Sequence, residues 1–293
     1  MGIRLVQKLI ERNHFVTIAT RGRRKDPFGS RVERIVYDRL NLTNVQKALG
    51  GRHYDVIIDT SAYSSNAVTN VLSNVSCEKY IQVSSVAVYP KHRIGLKEEM
   101  LDSKNASFVL SDKEDNYGIG KRYAECAALQ LYPAYAPSIV RLPFVVEPDN
   151  LDNKELNMRL YFYVEHIVKQ IPMQVDNPAY CCSFIRTYEE ADFLIYLAEN
   201  DFEGIYHISS EGYVTVGDII GYIEQRSGKR AVYSEEGDKD PFRASHFGGS
   251  DNGYSFDLSR AKSTGYATPK LESWLWELLD HYIDLLNARQ DLK

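Results

Sequence analysis

The sequence predicts an α/β protein built on a doubly wound parallel sheet. Stretches with apolar residues at helical spacing alternate with short β-rich runs over the first half of the chain. The runs at 55–59 and 138–142 are almost continuously apolar, which is typical of strands that are buried on both faces of a sheet. Repeated alternation of helices with such strands indicates parallel β-α-β units.

The elements of the first half follow in order. The pattern predicts helices over 2–13, 43–50, 65–75 and 115–131, and strands over 14–20, 32–37, 55–59, 80–84 and 138–142. A long loop-like stretch precedes the helix at 115–131, and a loop of that length in a compact domain is often functional. The first helix has no strand before it, although a helix that feeds a strand is normally the second half of a β-α-β unit.

The pattern changes near residue 148. Beyond it, helices and short strands mix without strict alternation, and a long loop is predicted over 237–254. Thr215 and Asp218 form a capping-box pattern for a helix that Gly228 closes, Asp257 caps a short helix, and 271–286 is a last amphipathic helix. We therefore predict one domain over 1–150, with a return segment near 180–210, and a smaller α+β region over 151–293.

Composition narrows the functional classes. The chain has 293 residues, 44% apolar content and a formal net charge of −5, so it can bury a substantial core and is not expected to bind nucleic acid. The four cysteines and the histidines show no metal-ligand spacing, so we expect free thiols and no bound metal ion. With no signal peptide and no apolar membrane span in the sequence, we expect a cytoplasmic protein.

Three polar motifs stand at positions suited to chemistry. Tyr117 and Lys121 are four residues apart, so they share a helix face, and the cation is expected to lower the pKa of the phenol. Ser84 and Ser85 follow one predicted strand and residues 59–62 follow another, at the edge of a parallel sheet where ligands bind. Taken singly, the motifs also fit structural roles: a solvated helix pair, a serine cap and an ordinary strand-to-helix turn.

In this order and strand context, the motifs resemble the extended short-chain dehydrogenase/reductases, the NAD(P)-dependent epimerase/dehydratase family. The resemblance extends over essentially the whole chain and is strongest over 55–148. It implies a Rossmann-like dinucleotide-binding domain over 1–150 and a mainly substrate-binding region over 151–293. It also implies that Tyr117 is the general acid/base, that Ser85 polarises the substrate oxygen, and that Lys121 holds the nicotinamide ribose and tunes the tyrosine.

The resemblance further implies a set of cofactor-binding residues. Asp38 matches an aspartate that contacts adenine, and Pro143 matches a proline near the nicotinamide. The predicted set is Gly2, Arg21, Asp38, Arg39, Thr60, Ser61, Ala62, Tyr117, Lys121 and Pro143. Glu147 stands where the family commonly has glycine, so we expect the backbone path past the nicotinamide to differ.

The start of the chain departs from the family pattern. Members normally open with a strand that runs into G-x-x-G-x-x-G, and Gly2 matches the last of these glycines. The first strand and two phosphate-cradling glycines are absent from the chain as given. We expect the natural protein to have a short upstream segment, and the chain as given to show a gap or exposed edges in its sheet and poor cofactor affinity.

The loop after the strand at 14–20 bears on the choice of cofactor. NAD-binding members tend to carry an acidic residue there, whereas this chain has Thr20, Arg21 and Gly22, followed by three more basic residues. Guanidinium groups suit a 2′-phosphate, so we predict NADP, with NAD as the alternative. The alternative is that these basic residues have no role in cofactor binding and simply form a solvated loop.

These inferences predict an NAD(P)-dependent oxidoreductase, epimerase or dehydratase that acts on an alcohol or carbonyl of a small molecule, with nucleotide sugars among the candidates. Arg243, in the loop at 240–243, is a candidate to bind an anionic substrate group. The alternative is a non-catalytic nucleotide-binding or RNA-binding scaffold of the same fold. It arises because the segments 55–59 and 84–89 also resemble a branch near the chloroplast stem-loop RNA-binding proteins.

Association is the last implication of the resemblance. Members often form homodimers through the helix that carries the Tyr-Lys pair, so we expect a homodimer here. Tyr123, Cys126, Ala127 and Leu129 are the residues expected to supply part of that surface. This expectation is an analogy with the family and does not follow from the residues themselves.

Overall fold

A computed structural model describes residues 2–147, 154–235, 244–245, 247 and 252–290, without the side chains of 154–158, 289 and 290. Its elements confirm the α/β class. Helices α1 to α9 are Gly2–Glu11, Leu42–Leu49, Ser65–Leu72, Tyr117–Leu131, Lys154–Val168, Thr187–Ala198, Val216–Ser227, Ser259–Ser263 and Leu275–Gln290. Strands β1 to β12 are Thr17–Thr20, Glu33–Val36, Arg52–Asp59, Val75–Ser85, Ser138–Leu142, Phe144–Val146, Met173–Gln174, Cys181–Cys182, Phe184–Arg186, Gly204–His207, Val214–Thr215 and Tyr233–Ser234.

The main parallel sheet is in two pieces. One piece has the strand order β10-β5-β4-β3, and the other is the pair β1-β2. Within the described residues β1 pairs only with β2 and β3 only with β4, so the expected gap in the sheet is confirmed. Ion pairs connect the pieces at both ends: Arg52 donates to Glu33 at 2.9 Å, and Arg39 donates to Asp59 at 2.9 Å.

Helices cover both faces of the sheet, which confirms the doubly wound architecture. On one face α2, α3 and α4 enclose a core that contains Val68 and Ala124. On the other face α1 and α6 enclose a core that contains Leu5 and Phe193. A third core lies in the second half of the chain among α5, α7 and α9. This layering leaves the carboxyl ends of β3, β4 and β5 at a common edge.

The second half returns to the main sheet. β10 adds to the edge of β5, and α6 packs on α1. Short pairs β6-β9, β7-β12 and β8-β11 make up the rest of the described β-structure. The division into 1–150 and 151–293 stays a prediction, as does the assignment of the return segment.

Most local predictions are correct, with shifts at element ends. The strand at 138–142 and the capping box of Thr215 with Asp218 are confirmed. β4 begins at Val75, well before the predicted residue 80, because residues 75–77 pair in register with residues 52–54 of β3. α2 is capped by Asn41, whose side chain accepts from the Asn44 amide, and not by Thr43.

Residues expected in a dimer surface prove to be core residues. Cys126 and Ala127 are fully buried within the chain, and Leu129 is nearly so, because this side of α4 packs on α3 and the sheet. The expectation that these three residues contact a second subunit is therefore wrong, and a homodimer stays a prediction. All four cysteines are buried free thiols, as expected.

Membrane insertion through a helix has no support in the described ranges. No helix there has both the length and the apolar character needed to cross a bilayer.

Candidate active site

Ser85 and Tyr117 meet where β4 ends and α4 begins. Ser85 ends β4, and its Oγ accepts a hydrogen bond from the Ala87 amide at 3.2 Å. Asn116 caps α4 by accepting from the Ile119 amide at 3.0 Å, which places Tyr117 in the first turn of the helix. Tyr117 is 53% exposed, but its hydroxyl is partly withdrawn from water; this desolvation and the neighbouring Tyr63 raise the pKa of Tyr117, although a hydrogen bond with Ser85 opposes the shift.

Two glycines allow α4 to approach the strand ends closely. A Cβ at Gly118 would lie 2.0 Å from the Ala87 carbonyl oxygen, and a Cβ at Gly120 would lie 2.5 Å from the Tyr63 carbonyl oxygen. A side chain at either position would displace the helix that carries Tyr117. The sequence shows two small residues inside the Tyr-Lys motif, but the carbonyl groups they face are distant in sequence, so sequence analysis missed this function.

Lys121 lies beneath the ring of Tyr63. Its side chain is 2% exposed, and its Nζ donates to the Val83 carbonyl at 2.8 Å and lies 4.5 Å from the centroid of the Tyr63 ring. Burial lowers the pKa of Lys121 to about 8. The expectation that Lys121 lowers the pKa of Tyr117 is wrong in this conformation. Burial dominates at Tyr117, and the ammonium is directed to Val83 and Tyr63.

A buried network of charged side chains contacts Ser84, the residue before Ser85. Glu125 on α4 accepts from Arg141 at 2.8 Å, from Ser103 at 2.6 Å and from Ser84. Arg141 on β5 also donates to the hydroxyl of Tyr89 at 2.7 Å. Glu125 and Arg141 are completely buried, so each compensates the charge of the other. The network fixes the ends of β4 and β5 against α4, and sequence analysis missed both charged residues.

The predicted cofactor-binding residues Arg21 and Asp38 line one open cleft. The cleft has a volume of about 250 Å³ and is also lined by Arg23, Tyr37 and Asn44. The Asn44 carboxamide accepts from the Asp38 amide at 2.6 Å and fixes the start of this loop. Two guanidinium groups on an open cleft form a donor set that fits phosphate oxygens.

Arg39 is engaged with the protein itself. Its guanidinium donates to Asp59, to Ser61 Oγ at 2.8 Å and to the Ala67 carbonyl at 2.7 Å. Burial raises the pKa of Asp59, but the charge and hydrogen bonds of the Arg39 guanidinium lower it more. The pKa of Asp59 is therefore lowered to about 2. These contacts tie the loop after β2 to the end of β3, and a role of Arg39 in cofactor binding stays a prediction.

The remaining predicted site residues lie along the same edge. Thr60 is half-buried and Ala62 fully buried at the end of β3, and Pro143 separates β5 from β6. Gly2 begins α1. The candidate substrate-binding Arg243 and the rest of 240–243 lie outside the described residues.

Glu147, which departs from the family pattern, anchors α1. It accepts two hydrogen bonds from Arg4, at 3.1 and 3.2 Å, and a third from Thr187 at 2.8 Å. These bonds connect the end of β6 to α1 and α6. The glutamate therefore has a structural role that its position in the sequence did not reveal.

Buried aromatic rings from the second half pack against Phe144, which begins β6 just after the end of β5. Phe144 packs against Phe247 at 4.7 Å and Tyr254 at 5.6 Å between ring centroids. Arg159 on α5 lies over Phe144, 4.8 Å from its centroid, and its positive charge lowers the pKa of Tyr117 in opposition to burial. The edge thus combines a hydroxyl pair, a buried ammonium and the half-buried ring of Phe144, which suits proton transfer on a partly apolar ligand.

Comparison with known proteins gives matches in structure alone. No model of a known protein family matches the chain, and no curated protein does. A variant of UDP-glucuronic acid 4-epimerase from Bacillus cereus, in complex with UDP-4-deoxy-4-fluoro-glucuronic acid and NAD, has a TM-score of 0.69 and 17% identity over 97% of this chain and 96% of that chain.

Two further solved structures match over similar lengths. UDP-glucose 4-epimerase from Thermotoga maritima, with UDP-glucose, has a TM-score of 0.66 and 15% identity over 100% of this chain and 96% of that chain. UDP-glucose 4-epimerase from Thermus thermophilus, in complex with NAD, has a TM-score of 0.64 and 13% identity over 97% of this chain and 94% of that chain. At these identities the similarity establishes the fold.

Proposed function

We propose that this chain, which has the Rossmann-like fold of the NAD-dependent epimerases and dehydratases, is an NAD(P)-dependent epimerase, dehydratase or reductase that acts on an alcohol or carbonyl group. The observation that carries the proposal is the proximity of Ser85, Tyr117 and Lys121 at the carboxyl edge of the parallel sheet. The neighbours in complex with UDP-sugars support a nucleotide sugar as the substrate class.

Tyr117 begins the proposed reaction as a proton donor. Its raised pKa keeps the phenol protonated at neutral pH, so it donates to a carbonyl oxygen as that oxygen gains negative charge. In the opposite direction the phenolate is needed, and the hydrogen bond with Ser85 and the charge of Arg159 both stabilise it. Ser85 Oγ accepts from the Ala87 amide, so its single proton is free to go to the Tyr117 oxygen or, once that oxygen is protonated, to the substrate oxygen.

Lys121 and the cleft of Arg21 are the groups proposed to hold a nicotinamide dinucleotide. An ammonium has three donors, of which Lys121 directs one to Val83, and the others suit ribose hydroxyls. A bound nicotinamide would supply the hydride acceptor and donor at its C4. Arg21 and Arg23 support NADP through its 2′-phosphate, whereas two of the similar structures hold NAD, the alternative.

The test compares the chain with a Tyr117→Phe variant. Nicotinamide fluorescence measures binding of NADH and NADPH, and chromatography of the products formed from UDP-glucose or UDP-glucuronic acid measures turnover, because an epimerase returns its hydride and leaves no net change in NAD(P)H. We expect Tyr117→Phe to bind the dinucleotide as tightly as the unmodified chain and to lose at least roughly 100-fold in rate, because it lacks the transferable proton. A folded chain that binds neither dinucleotide contradicts the proposal and favours the non-catalytic scaffold.

The preference for NADPH over NADH is tested by the same fluorescence titration on an Arg21→Ala variant. We expect this variant to lose roughly tenfold in NADPH affinity and little in NADH affinity, because it removes one charge-assisted contact to phosphate. Lys25→Ala is the matched control, since it removes a positive charge from the same loop but Lys25 does not line the cleft. Equal losses for both dinucleotides would contradict the NADP preference.

A further inference from the structure

Tyr63 is held against the helix that carries the Tyr-Lys pair. It lies between β3 and α3, next to the fully buried Ala62 and to Ser64, whose hydroxyl caps α3 by accepting from the Ala67 amide. Its carbonyl oxygen faces Gly120, with no room for a side chain between them. The backbone of Tyr63 is therefore fixed from both sides, and so is the direction in which its ring leaves the chain.

The ring of Tyr63 contacts both members of the pair. Its centroid lies 4.5 Å from the Lys121 ammonium, within the range of a cation–π interaction. Its centroid lies 6.1 Å from that of the Tyr117 ring, with the planes inclined at 47°. Among the described residues, the ammonium donates one hydrogen bond, to the Val83 carbonyl. The aromatic face thus supplies a second electronegative neighbour for a charge that is almost completely buried.

We propose that Tyr63 is a positioning residue, whose aromatic face holds the Lys121 ammonium beside the Val83 carbonyl and stabilises its charged form. This inference rests on the proposed function, because Tyr63 matters for catalysis only if Lys121 binds the ribose of the cofactor. The hydroxyl of Tyr63 has no part in this role. Tyr63 is 55% exposed, so a packing requirement alone does not explain a large aromatic ring at this position.

Several charged groups act on Lys121 besides the ring. Asp59 at the end of β3, Glu125 on α4 and Glu190 on α6 favour the charged form, and Arg39 disfavours it. Burial outweighs them and lowers the pKa of Lys121 to about 8. Loss of the aromatic face removes one more stabilising contact, so the pKa of Lys121 should fall further.

The test measures the pKa of Lys121 directly, in the protein without cofactor. NMR of protein labelled with ¹³C at the lysine ε-carbons follows the titration, and Lys121→Met identifies the signal. We expect Tyr63→Leu to lower the pKa by about half a unit to one unit, since the aromatic face is lost. Tyr63→Phe should keep it within about 0.2 units of the original, since the face remains. Tyr213→Leu is the control, because this tyrosine is 47% exposed and lies outside the site.

A second measurement follows NADH binding by fluorescence in the same variants. Tyr63→Leu should weaken binding at least roughly fivefold, Tyr63→Phe should restore it, and Tyr63→Leu should have no further effect in a Lys121→Met background. If the leucine variant does not unfold cooperatively, Tyr63→Gln replaces it as the non-aromatic variant.

Equal behaviour of the leucine and phenylalanine variants in the NMR titration would overturn the inference. Failure of the folded, unmodified chain to bind either NADPH or NADH would instead count against the proposed function, while the NMR titration still decides the role of Tyr63.

Discussion

At the scale of single residues, two adjacent glutamates on α6 have opposite environments. Glu189 accepts from the Arg186 amide at 3.1 Å, from the Arg186 side chain at 2.7 Å and from Ser210 at 3.0 Å. Glu190 is almost completely buried, and neither of its carboxyl oxygens has a hydrogen-bond partner among the described residues. Burial raises the pKa of Glu190 to about 7.

The raised pKa makes stability depend on pH. The folded state keeps the Glu190 proton up to about pH 7, whereas an unfolded chain releases it near the ordinary value of 4.5. This contribution is therefore fully present below pH 4.5 and is lost as the pH rises through 7. We expect Glu190→Gln to raise the free energy of unfolding by about 1–3 kcal/mol at pH 8 and to change it little at pH 4, measured by urea denaturation.

Glu189→Gln is the matched control for this prediction. It removes the charge from a carboxylate whose bonds are complete, so it should destabilise the protein by about 1–3 kcal/mol at pH 8. A Glu190→Gln variant that is less stable than the original chain at pH 8 would show that its carboxylate has a partner in solution.

The residue scale also shows the limit of sequence analysis for the site. Tyr117, Lys121 and Ser85 are detectable because local spacing and strand context place them together. Tyr63 and the pair Glu125–Arg141 are not, because nothing local indicates that a half-exposed ring faces Lys121 or that two charges compensate each other in the core.

At the scale of elements, the position of α4 depends on Gly118. An alanine there would place its Cβ against the Ala87 carbonyl, so the helix must move away from Ser85. We expect Gly118→Ala to lower the free energy of unfolding by about 1–3 kcal/mol and to reduce hydride transfer, because Tyr117 moves with the helix. Urea denaturation measures the loss of stability, and the activity assay described for Tyr117→Phe measures the loss of rate.

Gly221→Ala provides the control for the helix substitution. Gly221 is exposed in α7, and a Cβ added there would meet nothing within 4 Å, so alanine should stabilise the protein by about 0.5–1 kcal/mol. Equal effects of the two substitutions would mean that the Gly118 contact relaxes without cost.

Elements with strong local signals are predictable, and their connections are not. The capping box of α7 and the apolar run of β5 lie within a few residues, so the sequence suffices. The bonds between Arg4 and Glu147 join residues 143 positions apart, and no local pattern indicates them. The early start of β4 was missed for a related reason, since residues 75–77 extend the strand by pairing with residues 52–54 of β3, which lie well before them in the chain.

At the scale of the whole molecule, the divided sheet predicts unequal local stability. β1 and β2 form a two-stranded sheet, and such pairs are marginal alone, whereas β4 lies between β3 and β5. We expect amide protons of β1 and β2 to exchange at least roughly tenfold faster than those of β4, measured by hydrogen–deuterium exchange with mass spectrometry.

Added salt tests whether ion pairs connect the β1-β2 pair to the four-stranded piece of the main sheet. The pair Arg52–Glu33 is exposed, so about 1 M NaCl should screen it and accelerate exchange in β1 and β2 further. Arg52→Ala should reproduce the salt effect at low ionic strength. Equal protection of all six strands of the main sheet would contradict a sheet in two pieces.

The buried pair Glu125–Arg141 has a consequence for heredity. A mutation that neutralises one partner leaves the other charge unpaired in the core, at a cost of about 3–5 kcal/mol, which is a large part of the margin by which a domain stays folded. The pair can therefore be lost in evolution only if both residues are replaced at nearly the same time. Among related sequences, we expect the two positions either to keep both charged residues or to change together.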